Sequence, residues 1–417
     1  MTITLLGRAG DTFEASLAAQ DLEPAAVDAR WVGIGALERE LFETAVCVDG
    51  SVDAVLVPAD WLPRLAARGA LRPLDDLLAG APPEGWPAAW SDAFVDVVTF
   101  AADAAPSRAE RAAVWGLPFH DGPPLLVYRT DLFDDPAERR AYRERFGTEL
   151  APAATWSDFD RQARFFTRPE EGLFGTVLAG APDGHNDVYD FVTQVRVCGG
   201  DVVARDGSGI LRPAFGGAAG LGALAWLRGH AVDDPTVPPD ARTLDSVGSG
   251  RAFAEGRVAL MMNWAGYAHA AQGPGSRVAG RVGTALAPTA DDGTPTPVVN
   301  AFWALAVTAG SRRVDEAWSV IRECLSPRGD RATTRAGSSG TRLDTWRDAE
   351  LLARTPAFAL FEEAHRVSRP LPQIAALPLL VDALNHLVDD VVNCGQDAGP
   401  ALERAVRRVE TVLASGD

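Results

Sequence analysis

A chain of 417 residues with 47% hydrophobic and 23% charged residues is long enough for two buried cores, and its near-average globular composition excludes a disordered or fibrous protein. Its formal net charge of -18 repels a phosphate backbone, and no basic, aromatic-interleaved stripe occurs, so nucleic acid is excluded as a partner. No apolar run reaches the roughly 18 residues that cross a bilayer, and the start MTITLLGRAG lacks the charged, apolar and small-residue zones of a secretion leader.

All 39 basic residues are arginine. Without a lysine amine the chain has no pyridoxal Schiff base, no P-loop lysine and no serine–lysine nucleophile. HExxH, GxSxG and GxGxxG are absent as well. Cys47, Cys198, Cys324 and Cys394 lie far apart with no CxxC pair, and read as mostly buried thiols rather than a zinc or redox site. His120, His185, His230, His269, His365 and His386 show no metal-ligand spacing, so neither metal nor cofactor is expected.

In chain order, Ile3 to Gly7 is a β-prone run, followed by Asp11-Thr12-Phe13, where Asp11 suits the cap of a helix starting near Glu14. Asp53-Ala-Val-Leu-Val57 is a near-continuous apolar run of the kind found in a strand covered on both faces, and Asp60-Trp61 opens a helix toward Arg68. Apolar runs at Leu125 to Tyr128, Val258 to Met262 and Leu305 to Val307 alternate with helical stretches such as Val314 to Leu325. The class is α/β, with a parallel, helix-covered sheet as the natural inference. Gly116 to Pro124, Asp291 to Pro297 and Gly337 to Gly340 are candidate crossovers. From Arg347 onward, Phe358-Phe361 and Leu379-Leu384-Leu387-Val391 suggest core-facing helices.

The segment Trp115-Gly-Leu-Pro-Phe-His-Asp-Gly122, with Leu125 to Phe133 after it, resembles the first interlobe crossover of carbohydrate-binding proteins from ABC importers. The same order continues through Thr155-Trp-Ser-Asp-Phe159, Gly199-Gly200, Phe253 to Trp264, Pro327 and Ser368-Arg-Pro-Leu-Pro372. Glu138 to Leu150 is similar to an insertion in one branch of sugar binders. On this evidence the chain resembles the extracellular solute-binding proteins of the maltose-binding type across nearly its whole length. The resemblance implies a two-lobed, type II periplasmic-binding-protein fold with a helix-covered mixed sheet in each lobe and a ligand cleft between the lobes. It puts residues 1–117 and 301–338 in the first lobe, and residues 118–300 and 339–417, with the C-terminal helices, in the second.

A sugar offers apolar C–H faces and a rim of hydroxyls, so its site needs aromatic plates and carboxylates, amides or guanidinium groups. Strand ends are the first place to look. Asp60 and Asp121 are candidates for the hydroxyl-accepting carboxylates. Asp60 equally suits a helix N-cap, and Asp121, beside His120 in the crossover, a turn residue. Trp264, with Asn263 and Tyr267, resembles the family's stacking wall. Trp303 stands where relatives carry Gly-Gly-Trp, but Ala301 and Phe302 replace the glycines here. Trp61 adjoins Asp60. Arg342 resembles an arginine near the third crossover that reaches ligand or fixes the hinge, and solvated ion pairing is its other reading. Asn186 and Tyr189 match a segment of the second lobe, and Asp11 lies in the first loop. For Trp31, Trp86, Trp90, Trp226, Trp318 and Trp346, core packing is the expectation.

The resemblance implies a non-enzymatic receptor that captures a carbohydrate by hinge closure and, as a monomer, presents it to an ABC permease. The competing readings are a carbohydrate hydrolase or lyase using paired carboxylates such as Asp60 and Asp121, and a cytoplasmic sensor of the same fold. Location follows the leader: extracellular or surface-bound if one has been removed, cytoplasmic otherwise.

Overall fold

The computed structural model describes residues 2–22, 26–102 and 112–415. Its strands in chain order are β1 (Ile3–Arg8), β2 (Val27–Val32), β3 (Ala54–Pro58), β4 (Thr99–Phe100), β5 (Ala113–Val114), β6 (Leu117–His120), β7 (Pro124–Arg129), β8 (Val203–Arg205), β9 (Leu211–Pro213), β10 (Leu260–Trp264), β11 (Val282–Ala285) and β12 (Trp303–Val307). Two compact units form. The first holds Met1–Gly122, Asn300–Arg366 and Pro370–Leu377; the second holds Pro123–Val299, Val367–Arg369 and Pro378–Asp417.

The sheet of the first unit has the order β2-β1-β3-β12-β6. β1, β2 and β3 run parallel, and β12 runs antiparallel to both β3 and β6. Every residue of β3 is buried, as its unbroken apolar run requires of a strand covered on both faces. β2, which the run pattern did not mark, alternates exposed Asp28 and Arg30 with half-buried neighbours, as an edge strand tolerates. Asp53 ties the sheet together: its carboxylate accepts the Thr4 N–H at 3.0 Å and the Ser311 hydroxyl at 2.8 Å. The helix Val314–Cys324 packs on β12 and buries Trp318 and Ile321.

The sheet of the second unit, β10-β7-β11, is antiparallel, and a parallel bridge from Phe174 to Val258 extends it. The parallel arrangement inferred from apolar runs does not hold here. Such runs record burial on both faces, and strand direction is not written in them. The helix Trp156–Phe166 begins with a capping box between Thr155 and Asp158 and buries Trp156, Phe159, Ala163 and Phe166 along one stripe. That stripe joins Leu126 and Leu260 of the sheet in one core cluster.

The chain leaves the first unit after Gly122 and returns to it at Asn300. Gly337–Gly340, the third candidate crossover, instead lies within the first unit: the Ser339 carbonyl accepts the Asp121 N–H at 3.0 Å, and Asp330 accepts the Thr341 N–H at 2.8 Å. Residues 339–366, which the resemblance puts in the second lobe, belong to the first unit.

Phe358 and Phe361 are buried as expected, but Leu379 is 47% exposed. The buried stripe is Leu380, Leu384, Leu387 and Val391, and Leu379 falls one residue off it. Cys47 and Cys324 are buried, whereas Cys198 and Cys394 are exposed, so only half the thiols follow the expectation; all four are free.

Candidate functional site

In the second unit, β10 ends at Trp264 beside the helix Asn186–Val197. The Trp264 indole N–H donates to Asn186 Oδ1 at 2.9 Å, and the Tyr189 ring meets the indole edge-on with centroids 5.8 Å apart. Three of the residues singled out in the sequence thus meet. Asn263 is bound up in holding the strand end: its amide donates to the Ser246 carbonyl at 3.1 Å and the Ser249 hydroxyl at 3.0 Å, and its Oδ1 accepts the Trp264 N–H at 2.8 Å. Tyr267 packs on a core cluster with Phe253 and Val278. A Cβ at Gly250 would come within 2.6 Å of its ring, so that close approach requires glycine.

A pocket of about 40 Å³ opens at this point, walled by Trp156, Phe159, Tyr189, Trp226 and Trp264. At about 10–15 Å³ per water-sized centre, it admits a few waters or one functional group of a larger molecule. Each indole N–H is satisfied within the protein: Trp156 donates to Thr296 Oγ1 at 2.9 Å, Trp226 to Asp160 Oδ1 at 2.8 Å and Trp264 to Asn186. The rings are left to present apolar faces. His230 braces Trp226 by placing Nε2 2.8 Å from the same Asp160 oxygen and Nδ1 2.6 Å from Thr236 Oγ1.

Asp190 is the one charged residue among those lining the pocket, and burial pushes its carboxyl up to about 7. One turn earlier on the same helix face, Asp187 is 4% exposed, and among the described residues the only hydrogen bonds that lower its carboxyl come from backbone N–H groups of its own turn. Burial, reinforced by the charges of Asp183 and Asp190, pushes it up to about 8. Asp190, Trp156 and Trp226 were not singled out as site residues, and Trp226 was assigned to packing. The helical spacing of Asn186, Tyr189, Asp190 and Thr193 would have found Asp190 once Asn186 and Tyr189 were placed.

In the first unit, Trp303 opens β12 opposite Pro58 and His120, at the carboxyl ends of β3 and β6. Phe13 lies between the two rings, with centroids 4.7 Å from Trp303 and 4.9 Å from His120, and the Arg8 guanidinium sits 5.6 Å from the Trp303 ring. Burial holds His120 down at about 4 against the pull of Asp121, and its Nδ1 is hydrogen-bonded to the Ser338 hydroxyl. Asp60 is half-buried in the 3-10 turn Ala59–Trp61 directly after β3; Pro58 holds the cap position, so Asp60 is not an N-cap. Trp61 is buried edge-on against Phe42 at 5.6 Å.

Asp121 is turned into the core, its Oδ2 2.7 Å from His365 Nε2, and both side chains are 1% exposed. Arg342 is 3% exposed; it donates to the Glu84 carbonyl at 2.7 Å and Asp344 Oδ1 at 2.9 Å, and lies 4.7 Å from the Trp90 ring. The guanidinium is thus buried, while its ion-pair partner Asp344 keeps 40% of its side chain exposed. Asp11 is the first residue of the helix Asp11–Ala18, and its side chain lies outside the described structure. Among the described residues, no group of three His, Cys, Asp or Glu side chains is placed to hold a metal ion, and no helix is long and apolar enough to cross a membrane.

The architecture is that of the two-lobed periplasmic binding proteins. A solute-binding protein of an ABC transporter from Agrobacterium radiobacter K84, solved with ribitol, superposes with a TM-score of 0.82 at 21% identity over 99% of this chain and 98% of that one. The maltose-bound MalE3 of T. maritima superposes with a TM-score of 0.81 at 19% identity over 99% of both chains. A probable ABC transporter-binding protein of Deinococcus radiodurans is 26% identical over 298 residues, which take in 69% of this chain and 66% of that relative's length. The sequence model of the bacterial extracellular solute-binding proteins matches residues 27–331, and the chain belongs to that family. It is a family of binding proteins rather than enzymes.

Proposed function

We propose that this protein is the receptor of an ABC importer for a sugar or polyol, and that the aromatic pocket of the second unit holds one end of that ligand. The observation that carries the reading is the pocket itself: three indoles with their N–H groups already satisfied, arranged around a single carboxyl, Asp190. Indole faces suit the C–H faces of a carbohydrate, and a carboxyl accepts hydroxyls at about 1.5–3 kcal/mol per charge-assisted hydrogen bond. The ribitol and maltose held by proteins of the same fold support this ligand class.

In this reading His120, Trp303 and Asp60, at the strand ends of the first unit, supply further contacts, and the ligand favours a closed state by hinge motion. A membrane permease then reads that closed state. The protein works outside the cytoplasm, as a monomer. Thermal denaturation against a panel of mono-, di- and oligosaccharides and polyols tests the proposal. A ligand at 100 times its Kd adds about 2.7 kcal/mol, readily seen as a raised midpoint. Calorimetry on the hit should show affinity reduced about tenfold or more in Trp264→Ala, with no product formed. Silence across the panel would count against the carbohydrate class, and cleavage of an oligosaccharide would favour a hydrolase.

A further inference from the structure

Among the residues that line the aromatic pocket there is no arginine and no histidine to balance Asp190. Burial is the one influence resolved on its carboxyl, with no cationic neighbour pulling it back toward the ordinary range. Asp187, one helical turn away, is a more deeply buried carboxyl with no cationic side chain beside it among the described residues, and its charged neighbours, Asp183 and Asp190, are both acidic. Buried carboxylates are normally paired. The chain places ion pairs freely elsewhere: Arg196 reaches Asp201 at 3.0 Å, and Arg168 reaches Glu138 at 2.6 Å. The walls around Asp190 are indole and phenol rings, whose faces attract cations within about 6 Å. A site with an unbalanced carboxyl, a second carboxyl behind it and aromatic walls is complementary to a small organic cation.

We propose that the ligand's end held in this pocket carries a protonated amine, making the preferred solute an amino sugar or amino polyol rather than its neutral counterpart. This rests on the reading that the aromatic pocket is the ligand site. The ammonium group would pair with Asp190 and lie against the ring faces. The ligand's hydroxyl-bearing remainder keeps it within the carbohydrate class.

Matched pairs test the proposal by calorimetry at pH 7: D-glucosamine against D-glucose, and 1-amino-1-deoxy-D-glucitol against D-glucitol, with N-acetyl-D-glucosamine as the uncharged control. The expected result is that an amine binds at least about tenfold tighter than its hydroxyl partner, with N-acetylation abolishing the advantage. Repeating the titration in two buffers of different ionisation enthalpy should reveal net proton release, because an ammonium ion drives the half-protonated Asp190 to its carboxylate form. Asp190→Asn, nearly isosteric, should erase the preference while leaving a folded protein, checked by its melting transition. A neutral member that binds as tightly as its amine would overturn this inference and leave the carbohydrate receptor standing. Binding by no member would count against both.

Discussion

Asp121 Oδ2 and His365 Nε2 lie 2.7 Å apart although 244 residues separate them in the chain, and both side chains are 1% exposed. The His365 ring is stacked on Trp346, nearly parallel at 10° and 5.3 Å. The pair sits directly before two of the points at which the chain leaves the first unit, Gly122 and Arg366. Removing one partner strips the other of this hydrogen bond inside the core, a loss of about 1–3 kcal/mol. Asp121→Ala and His365→Ala should each lower the unfolding free energy obtained from denaturant titration by that amount. If Asp121→Ala instead abolished ligand binding at unchanged stability, Asp121 would be a ligand residue.

Arg342→Ala should be similarly damaging, by about 3 kcal/mol, because it strips donors from the Glu84 and Leu325 carbonyls and the cation from the face of Trp90. Arg342→Lys should recover only part of the loss, since an ammonium group cannot reproduce the planar fork. Chemical denaturation of the two variants checks this, and full rescue by lysine would mean that charge alone is required.

Asp160 acts on the pocket through Trp226. Asp160→Ala leaves the Trp226 and His230 ring nitrogens without their common acceptor. With the Asp160 side chain 26% exposed, water can replace part of the bond, so the stability loss should be about 1 kcal/mol. Ligand affinity should nonetheless fall, because the Trp226 plate is no longer held. Equal affinity for wild type and variant would remove Trp226 from the site.

The pH dependence of stability has two opposed parts. Asp187 and Asp190, raised to about 8 and about 7, hold protons in the folded state that the unfolded chain gives up near pH 4. Their favourable contribution is complete below about pH 4 and is lost as pH rises to about 8. His120, lowered from 6.5 to about 4, works the other way: its contribution grows through that interval and is complete above it. Asp187→Asn should therefore melt with a flatter profile than wild type between about pH 5 and 8, and His120→Asn with a flatter one between about pH 4 and 6.5. Parallel profiles for wild type and Asp187→Asn would show that Asp187 is ionised in the folded protein.

Strand-end logic singled out Trp264, whereas Asn186 and Tyr189 were reached only through their resemblance to a family segment of the second lobe. Asp190 escaped because a sequence shows that an aspartate follows a tyrosine on a helix, not that the helix turns it into an apolar pocket. Trp156 and Trp226 escaped for a related reason: a tryptophan lining a cavity has the same helical spacing as one in the core. Asp121 was legible as a carboxyl at a crossover, but its partner His365 comes from a distant stretch that no local pattern connects to it. β3 could be read from its apolar run, whereas the antiparallel β10-β7-β11 sheet could not, because pairing direction depends on the route of the chain between strands.

The most direct measurement is a crystal structure of the protein with the tightest-binding compound of the carbohydrate and amino-carbohydrate panel. The account predicts density for that compound against the faces of Trp264, Trp156 and Trp226, with a polar group of the ligand within hydrogen-bonding distance of Asp190. Density placed elsewhere, with this pocket filled only by water, would contradict it.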